Sequence, residues 1–124
     1  DHGSTFGGNA LAAAVGRACV ETLVAEHIGD HVREVGEHLA ERLAALPHVV
    51  EVRGAGLMRG AQLDVPIATP LVDAGLALAD KGGYGLVLNH IGDSILRFLP
   101  PLVVTREQID AMADALEGLI NQLA

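Results

Sequence analysis

Aromatic residues are almost missing from this 124-residue chain: it has no Trp, one Tyr and two Phe, 2% of the total. Its core must therefore be built from Leu, Val, Ile and Ala, within an apolar content of 50%. Basic residues are scarce as well. Eight Lys and Arg stand against sixteen Asp and Glu, a formal charge of −8. Phosphate backbones and anionic membranes repel such a chain, which makes nucleic acid a poor partner. Cys19 is the only cysteine, so no internal disulfide can form, and a reducing, cytoplasmic setting is the expectation. No apolar run reaches the roughly 18 residues of a membrane span. Low-complexity segments and internal repeats are absent too. The first residues lack the basic start, apolar run and cleavage site of a secretory leader.

What is present begins at once. "HGSTFGGNALAAAV" (2–15) is a glycine-rich loop running straight into an alanine-rich helix. Asn9 is a good N-cap for a helix from Ala10, with Leu11, Val15, Cys19 and Leu23 repeating every four residues. Little of that helix is polar before Glu21, which predicts burial on several sides. Gly29-Asp30 reads as a break, followed by a second helix to Leu46 with a stripe of Val32, Val35, Leu39, Leu43 and Leu46. Two strands at 49–53 and 57–63 joined by Gly54-Ala55-Gly56 predict a hairpin. Thr69 as N-cap and Pro70 at the first helical position open a third helix that stops at Lys81-Gly82-Gly83. A second strand pair at 85–89 and 94–99 turns through His90–Asp93. Thr105 and Gln108 then form a capping box for a last helix striped by Ile109, Met112, Ala113, Leu116, Ile120 and Leu123. This order predicts an α+β layer, a small antiparallel sheet with helices packed on it.

Three places could carry chemistry. In the opening loop, Gly7 and Gly8 let a ligand approach the backbone, Ser4 and Thr5 add hydroxyls, and the helix behind presents its positive end. These suit a phosphate cradle, although Gly-Gly-Asn is also ordinary capping, and no Lys-Ser/Thr pair completes a P-loop. Arg97 in "ILRFLPP" lies in an apolar run, where a guanidinium is costly unless an anion meets it or it reaches water at a sheet edge. His27 and His31 have the spacing of a helical metal pair. The expected break between them, with no third ligand at usable spacing and His38 on the polar side of the next helix, argues against a metal. Lys81, the only lysine, sits where a helix end favours one for dipole reasons alone.

Taken together, "DHGSTFGGNALA", "VRGAGLMRGAQL" and "ILRFLPPLVVTREQID" resemble class III pyridoxal-phosphate aminotransferases, in order and spacing over essentially the whole chain. Ala10 departs from the usual Pro after the Asn, at no cost to a helix start. The resemblance implies the C-terminal part of a fold type I enzyme. Residues 1–28 would be an active-site loop and connecting helix from the large domain, and residues 29–124 the small domain. It implies that Thr5 holds the phosphate of pyridoxal 5'-phosphate in the neighbouring subunit of a homodimer, that Ser4 touches the substrate, and that Arg97 faces a substrate carboxylate or a glutamate of the large domain. The lysine that carries the cofactor would belong to the large domain, so this chain alone would be inactive and would hold no catalytic residue. The implied reaction moves an amino group between N-acetylornithine and 2-oxoglutarate, in arginine biosynthesis. Ornithine, 4-aminobutyrate and glutamate-1-semialdehyde chemistries are alternatives within the same fold. An alternative of another class is a stand-alone phosphate-binding or interaction module.

Overall fold

The computed structural model describes residues 3–79 and 84–124. Its elements run α1 (Ala10–Ala25), α2 (Ile28–Ala44), β1 (Val49–Ala55), β2 (Met58–Leu63), α3 (Ala68–Ala77), β3 (Asn89–Ile91), β4 (Ile95–Phe98) and α4 (Arg106–Leu123). The strands form one antiparallel sheet in the order β1-β2-β4-β3. The expected α+β layer is what the chain forms.

Alternation along the strands sorts the sheet into two faces. Ala61 and Leu63 of β2, with Leu96 and Phe98 of β4, turn to the helices and are buried. Against them pack Val35, Leu39 and Leu43 of α2, Leu71 of α3, and Ile109, Leu116 and Ile120 of α4. Within α4, Leu119 joins the buried stripe at 5% exposure while Leu123 stays out at 38%, the reverse of the expectation for these two. Gly60, Gln62, Ile95 and Arg97 occupy the opposite face, which no helix covers as heavily.

Two polar devices lock the helices. Thr105 caps α4 with the full reciprocal box: its hydroxyl accepts from the Gln108 amide at 3.3 Å, and the Gln108 side chain accepts from the Thr105 amide at 3.0 Å. Thr105→Ala is expected to cost about 1 kcal/mol in urea denaturation, with Thr105→Ser close to wild type. Equal stability of all three proteins would show the box to be idle. Glu107, in the same first turn, has its carboxyl held below its ordinary pKa by its own backbone amide, with the Thr105 hydroxyl adding to the effect. Such a group supports the fold at neutral pH and loses that support as acid protonates it. The second device joins α2 to α4, where Arg42 pairs with Asp110 at 3.0 Å and with Asp114.

Several local expectations are corrected. The break between the first two helices is at Glu26-His27, not Gly29-Asp30: His27 adopts the left-handed conformation at φ 52°, and Gly29 and Asp30 lie inside α2. Asp30 in the first turn favours a helix start through the dipole, which is why a residue that reads as a breaker sits inside. His38 is not on a solvated side. Packing of α4 beside α2 leaves its side chain 12% exposed, with Nε2 2.8 Å from Asp110 and Nδ1 accepting from Arg106 at 3.1 Å. β1 extends through Ala55, which pairs with Met58, so the turn is Gly56-Leu57.

Thr69 is not the N-cap of α3 but its second residue. The helix starts two residues early because the Ala68 amide donates to the Asp93 carbonyl at 2.8 Å and the Thr69 hydroxyl donates to the Asp93 carboxylate at 3.1 Å. α3 ends at Ala77, and the Lys81-Gly82-Gly83 stop, with Lys81 itself, lies outside the described residues. Of the expected strand 85–89 only Asn89 is strand: the Leu86 amide donates to the Gly75 carbonyl at 2.8 Å, which draws 85–88 against α3 and leaves only Asn89–Ile91 for the sheet. α1 is the largest departure. None of its residues is buried, and Leu11 (76%) and Val24 (72%) stand open to solvent, so the burial expected of it is not supplied by these residues.

Candidate functional site

The opening loop is shaped by its own short-range chemistry. The Gly7 amide donates to the Ser4 carbonyl at 3.3 Å, closing a four-residue turn with Thr5 and Phe6 at its tip. Gly7 suits that place, since a Cβ on it would stand a tight 3.1 Å from the Ser4 Cβ. Gly8 then takes φ +75° with open space around it, a conformation that favours glycine. Asn9 fixes the loop to the helix from both sides: its Oδ1 accepts from the Ala12 amide at 2.9 Å, and its Nδ2 donates to the Phe6 carbonyl at 2.6 Å.

This arrangement holds the backbone without using either hydroxyl. Ser4 and Thr5 are exposed, and neither side chain has a hydrogen-bond partner among the described residues. Thr5 therefore stands at a turn tip just before an α-helix N-terminus, with the open Gly8 nearby. That is a fitting place for an anionic oxygen, since first-turn amides and the helix dipole favour negative charge. These features fit the phosphate end of pyridoxal 5'-phosphate. They offer nothing for its ring or its aldehyde.

Arg97 stands elsewhere. It lies on β4, an inner strand, and is exposed on the open sheet face, so it reaches water without standing at a sheet edge. Leu96 and Phe98 turn to the core, and the guanidinium alternates to the other side. No ion pair engages it among the described residues. It borders a shallow hollow of about 310 Å³ on the open face, and also lines one of about 440 Å³ with Phe98, Ile109 and Met112. Neither hollow takes a residue from the opening loop, so the fold joins Ser4 and Thr5 to each other but not to Arg97.

The histidines do not gather into a metal site. His27 occupies the helix junction, while His31 donates from Nε2 to the Val104 carbonyl at 3.0 Å and so has a structural partner. Among the described residues no three His, Cys, Asp or Glu side chains could hold one ion. Sequence reading missed Arg53, which faces Arg97 across Gly60 on the same sheet face. Strand alternation carried the signal, once the two strand pairs are placed side by side.

Comparison with known proteins agrees over the length of the chain. The acetylornithine aminotransferase of Corynebacterium efficiens is 41% identical over 122 residues, covering 98% of this chain and 29% of that protein. The ornithine aminotransferase of Staphylococcus carnosus is 42% identical over 120 residues, covering 95% and 28%. The solved ornithine aminotransferase of Toxoplasma gondii, its active site partly occupied by PLP, superposes with a TM-score of 0.77 at 28% identity, over 98% of this chain and 29% of that one. The chain thus spans about 30% of the length of the relatives it matches. No helix among the described residues is long and apolar enough to cross a membrane. With the "Aminotransferase class-III" family model matching residues 1–120, the chain belongs to the class III aminotransferases.

Proposed function

We propose that this chain serves a pyridoxal-phosphate-dependent aminotransferase, contributing the loop that binds the cofactor phosphate and one wall of the substrate site. The observation that carries the reading is the Thr5 hydroxyl: exposed, without a partner among the described residues, and held at the tip of a turn that the Ser4 carbonyl, Gly7 amide and Asn9 side chain keep closed. In this reading Thr5 donates to a phosphate oxygen, Ser4 next to it meets the substrate, and Arg97 meets a carboxylate of the substrate or of a glutamate elsewhere in the enzyme. The cofactor supplies the electron sink for amino transfer when bound, and this chain's residues bind and orient. The division into a loop and helix at 1–28 and a small domain at 29–124 is supported by the lack of buried residues in α1. The exposed apolar side chains of α1 support a cover from the rest of the enzyme or from the second subunit of a homodimer sharing the site.

For the amino donor we favour N-acetylornithine, with 2-oxoglutarate as acceptor. Ornithine is the second reading, because a relative bearing that activity's name is as similar as one bearing the first. The ratio of kcat/KM on the two donors separates them.

Thr5→Ala, in the enzyme that carries this chain, is expected to weaken cofactor binding about tenfold to hundredfold, the equivalent of one hydrogen bond to a charged group at ~1.5–3 kcal/mol. Ser4→Ala should raise the KM for the amino donor and leave cofactor affinity near wild type. Cofactor titration followed by absorbance checks both. Unchanged affinity in Thr5→Ala removes the phosphate assignment.

A further inference from the structure

The open face of the sheet carries a second guanidinium that the cofactor loop does not explain. Arg53 of β1 is the direct cross-strand partner of Gly60 in β2, and Gly60 is the direct partner of Arg97 in β4. Adjacent strands lie about 4.8 Å apart, which sets the two arginine backbones about 10 Å from each other. Between them is the one residue type with no side chain. A Cβ on Gly60 would have the Arg53 Cγ at 3.9 Å and the Leu96 carbonyl at 4.0 Å as its nearest neighbours, so the Arg53 stem lies beside the glycine and a Cβ there would meet only ordinary contacts. Gly54, Met58, Arg59, Ile91 and Ile95 complete the rim of the 310 Å³ hollow that both arginines line, the Arg59 guanidinium being already engaged by Glu37 and two carbonyls.

Two cations facing one hollow repel each other until an anion lies between them. Arg53 is only partly satisfied: its Nη1 donates to Glu51 Oε2 at 2.8 Å, a contact with both side chains about half exposed. We infer that Arg53 and Arg97 jointly hold one carboxylate of an organic acid above Gly60, which makes Arg53 a further specificity-determining residue. The planar fork of each guanidinium suits a carboxylate, and the apolar rim suits the carbon chain attached to it. The inference rests on the reading that Arg97 meets a carboxylate, and adds to it a second cation and a glycine floor.

Glutarate titrated into the chain, followed through the arginine Nε–H signals by NMR, tests it. The Arg53 and Arg97 signals should shift together with one millimolar-range midpoint, and uncharged glutaramide should move neither. Arg53→Met should weaken binding about five- to tenfold, as should Arg97→Met. Gly60→Val is the decisive variant: valine suits a strand and its Cβ meets nothing nearer than 3.9 Å, so thermal stability should hold while binding falls by a similar factor. If Arg53→Met and Gly60→Val bind glutarate as wild type does while the Arg97 signal still shifts, the joint site is wrong and the Arg97 reading survives. If neither arginine signal moves, or glutaramide shifts them equally, both fail.

Discussion

Gly36→Ala is expected to destabilise the chain by about 3 kcal/mol and to lower its melting temperature by roughly 10–20 °C. The ordinary rule has the opposite sign, since alanine is favoured over glycine by about 1 kcal/mol inside a helix. Here the rule loses to packing. A Cβ on Gly36 would stand 2.5 Å from the Gly56 carbonyl oxygen, 2.6 Å from its carbon and 2.8 Å from its Cα. All three are backbone atoms of the β1–β2 turn, and no rotamer change can move them aside. α2 would have to lift from the hairpin, taking Val35 and Leu39 out of their buried places. Gly118, in α4, provides the control. Nothing lies within 4 Å of its absent Cβ, so Gly118→Ala should stabilise by about 0.5–1 kcal/mol. Thermal and urea denaturation of the pair checks the difference in sign. A Gly36→Ala protein as stable as Gly118→Ala would mean that α2 does not meet the turn as described.

Arg59→Ala should cost a similar amount, about 3 kcal/mol, for a reason that lies in hydrogen bonding rather than space. Arg59 is the one buried charged residue among those described, at 8% exposure, on the helix-facing side of β2. Its guanidinium is used three ways: Nε donates to the Gly56 carbonyl at 2.9 Å, Nη1 to the Gly54 carbonyl at 3.0 Å, and Nη2 to Glu37 Oε1 at 2.9 Å. One side chain thus ties the end of β1, its turn and α2 together. Glu37 is 72% exposed, so the carboxylate's share is screened by water. Glu37→Gln should therefore cost no more than about 1 kcal/mol, well below Arg59→Ala. Arg59→Lys should fall close to the alanine variant, because a single ammonium cannot reproduce a fork aimed at three acceptors. Equal losses for Glu37→Gln and Arg59→Ala would show that the ion pair, and not the carbonyl bonds, carries the effect.

The parts of the fold that were legible in the sequence are those decided within a turn or two of the chain. The stripes of α2 and α4, the Asn9 cap and the Thr105–Gln108 box depend on residues three or four apart. The parts that were not legible depend on bonds between distant residues. α3 begins early because Asp93 accepts its first amide, and 85–88 leaves the sheet because Gly75 accepts from Leu86. The α1–α2 junction turns on a left-handed histidine, a residue with no strong signature for that role, while the glycine beside it looked like the break. Of the candidate site, the loop was readable because glycines, hydroxyls and a cap stand in one short run. The environment of Arg97 was not, because it depends on which strand lies beside β4. Arg59 could have been found: alternation in "LMRGAQL" puts it on the same face as Ala61 and Leu63.

The register shift at Val50, where β1 slips by one residue against β2, has a consequence for how this molecule behaves in a crowded solution. β1 is an edge of the sheet and the longest strand in it, so its unpaired amides and carbonyls could template a strand from another molecule. The slip is a bulge that twists the edge away from the flat geometry such a strand needs. Glu51 and Arg53 place charge of both signs just beyond it, and β3 limits exposure of the other edge by being three residues long. Aggregation through either margin is thereby discouraged. Arg53 is part of that guard, and the substitution that removes its charge also removes one of the gatekeepers against fibril growth.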